Sequence, residues 1–302
     1  MIHPTAKLST PRRKQPLRAL LTGVMTLATL AAGVSGAAAE SAKEGRTTVI
    51  AHRGASADAP ENTLPAVDLG AAVKADFVEI DVQRTLDGEL VVIHDTTLGR
   101  TTDVETKFPG RAPYRVADFT YAEISTLDAG SWFGPGFAGT QVPTLQQVLD
   151  TLHGRAGLLL EVKSPELYPG IGADIAAELD SEGWLNADAR AGRLVVQSFN
   201  WEFMREFNAL APEVPAGLLG GPPAPAEYAE LSTWADQINP SHTRVTSGFV
   251  DLVHQYGMET WPYTVDDPQR MRALTALGVD GIITNKPALL SDLLKADAAA
   301  TR

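Results

Sequence analysis

Short apolar runs recur along this sequence, and most of them lead into a segment with helical periodicity. They are Thr48–His52, Phe77–Gln83 with a hairpin partner Leu90–His94, Leu158–Lys163, Leu194–Phe199, Ala216–Leu219, Gln237–Asn239, Thr260–Val265 and Gly281–Thr284. Asp87-Gly88, between the paired runs, is the turn chemistry that a tight hairpin loop requires. With the hairpin counted as one unit there are eight strand positions. Segments between them, such as Leu145–Leu152, Ile171–Leu179, Trp201–Leu210 and Pro268–Leu277, read as helices. Eight alternating units predict an α/β fold, a (β/α)8 TIM-type barrel. A doubly wound open sheet competes, but no glycine-rich dinucleotide fingerprint follows the first strand. Residues 95–143 are long and rich in Gly, Pro, Thr and aromatics, and read as a small insertion after the second strand and its hairpin.

The first 39 residues stand apart. Lys7, Arg12, Arg13, Lys14 and Arg18 precede an apolar run, Ala19 to Val34, that ends near Ala37-Ala38-Ala39. This is the layout of a signal peptide cleaved after Ala39, which leaves residues 40–302 as the barrel domain and predicts a secreted, extracytoplasmic protein. A membrane anchor fits less well, because the run is rich in Ala, Gly and Thr and falls short of the ~20 apolar residues of a spanning helix. Arg12-Arg13 leaves twin-arginine export open, although Gln15 and Pro16 stand where that signal takes large apolar residues. Losing the five leader bases takes the net charge from −12 to −17. So acidic a body argues against nucleic acid and against adhesion to anionic membrane. We therefore expect a small-molecule partner, no nucleic acid and no stable membrane insertion. There is no cysteine, so the core rather than disulfides must hold the exported chain.

The chemistry concentrates at strand ends. In Phe77-Val-Glu-Ile-Asp-Val-Gln83, alternation sends Val78, Ile80 and Val82 toward the helices and Glu79, Asp81 and Gln83 toward the barrel axis. Leu158-Leu-Leu-Glu-Val-Lys163 repeats the pattern, with Glu161 and Lys163 inward. Buried carboxylates are costly unless paired. Glu79, Asp81 and Glu161 could hold a hard divalent cation, Mg²⁺ or Ca²⁺, or could form an ion-pair network with Lys163 and Arg53. His52 and His94 both stand at strand ends, and two imidazoles beside a carboxylate cluster suggest an acid–base pair. Arg53 and Lys163 add cations that can hold a phosphate, which completes the requirements of phosphodiester hydrolysis. Between first strand and first helix, Asn62 or Thr63 reads as an N-cap.

The ordered motifs are His52-Arg-Gly with Pro60-Glu-Asn-Thr63, Glu79-Ile-Asp81-Val-Gln, His94-Asp95 with Arg100-Thr-Thr102, Val142-Pro-Thr-Leu145, Glu161-Val-Lys163, Gln197-Ser-Phe199, Tyr263-Thr-Val-Asp266 and Gly278-Val-Asp-Gly-Ile-Ile-Thr284. In this order and spacing the chain resembles the glycerophosphodiester phosphodiesterases of bacteria. The resemblance implies a barrel with a small insertion and a divalent metal on Glu79, Asp81 and Glu161. It also implies His52 and His94 as the catalytic pair, with similarity to related phosphodiesterases favouring His52 as base and His94 as acid while the sequence leaves their order open. Phosphate contacts from Arg53 and Lys163, and release of glycerol 3-phosphate and an alcohol, are implied with them. Either water or the substrate's own glycerol hydroxyl could attack first.

Gln197 and Phe199 are substrate-pocket candidates that could equally be core. The family's usual Trp slot holds Tyr263, with Trp261 two residues earlier on the same face, and both are candidate substrate contacts. Asp266 and Asn285 stand where the family usually has Asn and Asp. Trp132 and Phe133 could wall the glycerol or simply pack the insertion. Two other readings keep the scaffold. One is a lysophospholipase D-like enzyme, whose toxin relatives typically carry disulfides; the other is a phosphodiester-binding barrel without catalysis.

Overall fold

The computed structural model describes residues 46–185 and 192–300. The expected signal peptide, residues 1–39, lies outside the described residues. Strands β1 (Thr48–Ala51), β2 (Phe77–Arg84), β4 (Gly157–Val162), β5 (Leu194–Ser198), β6 (Ala216–Gly220), β7 (Gln237–Pro240) and β8 (Gly281–Thr284) form one parallel sheet in the order β7-β6-β5-β4-β2-β1-β8. The short β3 (Leu90–Val92) pairs antiparallel with the far end of β2.

The expected strand Thr260–Val265 is instead an irregular stave. Pro262 has no N–H to give to a ladder. Isolated bridges, Gln237 to Glu259 and Ser241 to Tyr263, tie this segment to β7, and between them Trp261 N donates to Asn239 Oδ1 at 2.7 Å. On the other side, Val265 N donates to Ile283 O at 2.9 Å and Ile283 N to Pro262 O at 3.0 Å. These bonds span the gap between β7 and β8 and close the α/β barrel.

Alternation builds two shells. Outward Val78, Ile80, Val82, Leu158, Leu160 and Val162 pack with Val67, Leu145, Leu149 and Ile175 of the surrounding helices. Inward Ile50, Phe77, Leu159, Val195, Trp261 and Ile283 fill the lower barrel. The acid cluster lies above this apolar plug, toward the end of the barrel where the fold class keeps its chemistry. Residues 95–143 carry a separate apolar cluster that includes Leu98, Val104, Val116, Phe119, Ile124 and Leu127. The chain returns to the barrel through a capping box. Thr144 Oγ1 accepts from Gln147 N at 3.2 Å, and Gln147 Oε1 accepts from Thr144 N at 3.0 Å, starting the helix Leu145–Leu152. Among the described residues no helix is long and apolar enough to cross a membrane.

The expected cap on the first helix, Leu64–Ala72, is different in kind. Thr63 holds the N-cap position, but its hydroxyl donates to Pro60 O at 2.6 Å and makes no cap bond. Asn62 turns away to Asp81.

Candidate active site

Register sets the level of the acids. Asp81 of β2 pairs with Glu161 of β4, and Glu79 sits two residues lower on the same inward face. One carboxylate oxygen from each of Glu79, Asp81 and Glu161 lies within 4.8 Å of the others, and all three residues are buried. Asn62 locks Asp81 from two sides: its Nδ2 donates to Oδ2 at 2.7 Å, and its Oδ1 accepts from Asp81 N at 3.2 Å. Asn62 adopts φ 56°, a left-handed backbone that Asn tolerates better than most residues. Arg53, also left-handed at φ 56°, donates its backbone N–H to Glu79 Oε2 at 2.7 Å. Gly54 follows at φ 82°, and a Cβ there would come within 2.4 Å of Ala66 carbonyl carbon, so the turn that aims Arg53 depends on this glycine.

The acids cannot all carry charge comfortably. Burial, then repulsion from Asp81 and Glu161, pushes Glu79 well above the usual carboxylate range. Glu161 is pushed up to about 7 by burial and by Asp81, with Lys163 offsetting only part of it. Burial also works against ionised Asp81, but Arg53 and Lys163 outweigh it and hold that carboxyl below its ordinary value. Lys163 Nζ lies 2.5 Å from Glu161 and 3.7 Å from Asp81, and Arg53 Nε is 3.4 Å from Asp81. Even so, Asp81 Oδ1 is buried without a hydrogen-bond partner. An orphaned carboxylate oxygen among three converging acids fits a hard cation with oxygen ligands.

Both imidazoles come to this level along one edge of β2. β1 covers that edge as far as Val78 and places His52 just beyond, while β3 descends from the other end, so that Ile93 N donates to Asp81 O at 2.9 Å. His94 is the next residue. Gln83 ties down its loop, with Nε2 donating to the carbonyls of Ile93 and Asp95 at 2.8 and 2.7 Å. His94 Nδ1 is 2.6 Å from Asp95 Oδ1, and Arg100 grips both Asp95 and Glu61. The Arg100 hydrogen bonds above all, then the one to His94, lower Asp95 to about 2 despite partial burial. His52 Nδ1 faces Asn285 Oδ1 at 2.7 Å, and Asn285 Nδ2 donates to Asp266 Oδ2 at 2.6 Å. Burial and the Arg53 charge lower His52 from 6.5 to about 4.

The other sequence candidates divide by depth. Phe199 stands on the rim, 53% exposed, with Tyr263 edge-on at 5.8 Å. Gln197 is buried in an interior network, accepting from Asn239 Nδ2 at 3.1 Å. Trp261 is not brought to the rim. It packs on Phe77 at 4.9 Å in the lower plug, with its indole N–H on Glu259 Oε2 at 3.1 Å. Trp132 and Phe133 stack on each other within the insertion at 5.7 Å.

A family model for glycerophosphoryl diester phosphodiesterases matches residues 52–289, which span every side chain of this cluster. The chain belongs to the glycerophosphoryl diester phosphodiesterase family. A glycerophosphodiester phosphodiesterase of Caldanaerobacter subterraneus is 37% identical over 254 residues, covering 83% of this chain and 98% of the relative. One from Bacillus subtilis is 34% identical over 263 residues, covering 83% and 87%. Among solved structures, an Oleispira antarctica phosphodiesterase in complex with sn-glycerol-3-phosphate aligns with a TM-score of 0.75 at 28% identity, covering 84% of this chain and 99% of that one. Family membership makes this chain a phosphoric diester hydrolase.

Asn62, Glu61, Arg100, Asp266 and Asn285 are positioning residues to which the sequence reading gave no such role. All lie in or beside the ordered motifs, which is the signal that could have marked them.

Proposed function

We propose that this chain hydrolyses glycerophosphodiesters to glycerol 3-phosphate and an alcohol, with His52 as general base and His94 as general acid. The carrying observation is that both imidazoles are fixed through Nδ1, on partners of different charge, beside one acid cluster. Asn285 gives Nδ2 to Asp266, so its Oδ1 faces His52 and must accept from Nδ1–H. That tautomer leaves Nε2 with a free lone pair, and the lowered pKa keeps the ring neutral at ordinary pH. His52 Nε2 is thereby suited to take the proton of the attacking oxygen. His94 has the ionised Asp95 on Nδ1, a partner that balances a protonated ring, so Nε2–H can pass to the departing alcohol oxygen. Arg53 and Lys163 supply positive charge for the phosphoryl oxygens.

Glu79, Asp81 and Glu161 would hold a divalent cation of the Mg²⁺ or Ca²⁺ type, and the orphaned Asp81 Oδ1 supports this. When bound, such an ion supplies charge neutralisation at the phosphate. The test is release of glycerol 3-phosphate from glycerophosphocholine by the purified chain, with each divalent ion and with chelator. No release under any ion would overturn the proposal. Export is part of it: the layout of residues 1–39 supports cleavage after Ala39. N-terminal sequencing of protein recovered outside the cell should begin at Glu40.

A further inference from the structure

The rim is not closed around the two histidines. A groove with a volume of about 820 Å³ opens from Glu161 and Lys163 and runs between the loops after β4, β5 and β6. A phosphodiester held at the cluster has two substituents, and this groove is large enough for one of them.

Its chemistry selects which. Glu166 and Glu227 line it, and among the described residues neither carboxylate is in an ion pair. Glu166 Oε2 accepts only a long hydrogen bond from Asn200 Nδ2 at 3.4 Å, and Glu227 Oε2 accepts from Ala224 N at 2.6 Å. Each keeps acceptor capacity for a ligand. The inner wall is aromatic. Phe199 is 53% exposed, and the Lys163 ammonium already lies 5.6 Å from its ring. Trp201, also lining the groove, is pinned by its indole N–H to Leu219 O at 2.7 Å. Gly220 and Gly221 keep the opposite wall low. A Cβ on Gly221 would come within 3.2 Å of the Arg244 guanidinium.

Aromatic faces next to uncommitted carboxylates recognise organic cations. Glycerol offers no charge to such a surface. We propose that this groove is the leaving-group subsite and that it selects diesters with a cationic amino-alcohol, of the choline or ethanolamine type, over neutral ones. This rests on the hydrolytic reading above. The net charge of −12 acts in the same direction, because it disfavours the approach of net-anionic diesters relative to zwitterionic ones.

The experiment compares kcat/KM for glycerophosphocholine and glycerophosphoethanolamine with that for glycerophosphoglycerol and glycerophosphoinositol. The wild type should favour the cationic pair by about tenfold, the scale of one cation–π contact together with exposed ion pairs. In the double variant Glu166→Gln, Glu227→Gln the ratio should fall toward one, and Phe199→Leu should lower it in part. Both carboxylates are on the surface, so the double variant should keep the wild-type melting temperature. Equal rates on both pairs in the wild type, or an unchanged ratio in the double variant, would overturn the subsite while leaving phosphodiester hydrolysis standing. Absence of hydrolysis of every diester would instead overturn the hydrolytic reading, and the subsite with it.

Discussion

Asn285 Oδ1 lies 2.7 Å from His52 Nδ1, and the Asn285 amide can point that way only because Asp266 takes its Nδ2 at 2.6 Å and its backbone N–H at 2.9 Å. The Ser56 hydroxyl, 2.7 Å from the same oxygen, completes the setting. A neutral amide beside the base fixes its tautomer without adding charge. Asn285→Ala should lower kcat by about 10- to 100-fold and leave KM little changed, because the lost contact orients the base rather than the substrate. Asn285→Asp should restore orientation but add a charge that favours the protonated ring. Its kcat/KM profile should therefore need a higher pH to reach the plateau. A profile superimposable on the wild type would remove Asn285 from this role.

The same lowered pKa has a stability consequence with a definite sign. Burial and Arg53 bring His52 from 6.5 to about 4, so between those values the unfolded chain binds a proton that the folded chain refuses. This contribution is full above 6.5 and is lost as pH falls toward 4. Relative to His52→Gln, the wild type should lose at most about 2 kcal/mol of unfolding free energy between about pH 7.5 and about pH 5. His52 is half-buried rather than fully enclosed, which makes that figure an upper bound. Denaturant unfolding of both proteins at the two pH values measures it. A constant difference would show that His52 titrates normally.

Much of this architecture is legible in the sequence because alternation is a local property. Val78 to Gln83 reads inward and outward residue by residue as the strand places it, and that alone puts Glu79 and Asp81 in the barrel. What alternation gives is the side, not the depth. Trp261 and Tyr263 share a face, yet one lies in the lower plug and the other against Phe199 at the rim. Asn62 fits the N-cap signature before an apolar segment, but the demand of a buried Asp81 for a hydrogen-bonded clamp overrides local helix chemistry. The partner of His52 was beyond local reading altogether: Asn285 is 233 residues away and arrives only when β8 closes on β1.

Removing the cation should act on stability as well as rate. Three buried acids whose charges oppose one another gain most from a ligand that binds only the folded chain. Saturating Mg²⁺ or Ca²⁺, at about 100 times the dissociation constant, should stabilise the wild type by about 2.7 kcal/mol, and chelator should reverse the gain. Asp81→Asn and Glu161→Gln should each lose most of that ion-dependent rise in melting temperature. A rise of wild-type size in both variants would place the ion elsewhere.

Arg100 tests whether the acid imidazole is held from a distance. Its guanidinium forks to Asp95, with Nε at 2.6 Å, and to Glu61, with Nη1 and Nη2 at 2.9 and 2.7 Å, so one planar group ties the Asp95 carboxylate beside His94 to the loop that also carries Asn62. Glu61 in turn receives Arg53 Nη1 at 2.8 Å, which makes it the link between the two histidine-bearing loops. Side chains this exposed contribute little to folding, so Arg100→Ala should cost no more than about 1 kcal/mol of stability. Its cost to kcat should be larger, about tenfold or more, because Asp95 loses the partner that holds it against His94 Nδ1. Lysine carries the charge but cannot fork to two carboxylates, so Arg100→Lys should recover little of that loss. If Arg100→Lys restores full turnover, charge alone suffices and the forked geometry is incidental. If Arg100→Ala raises KM at constant kcat, Arg100 contacts substrate rather than positioning the acid.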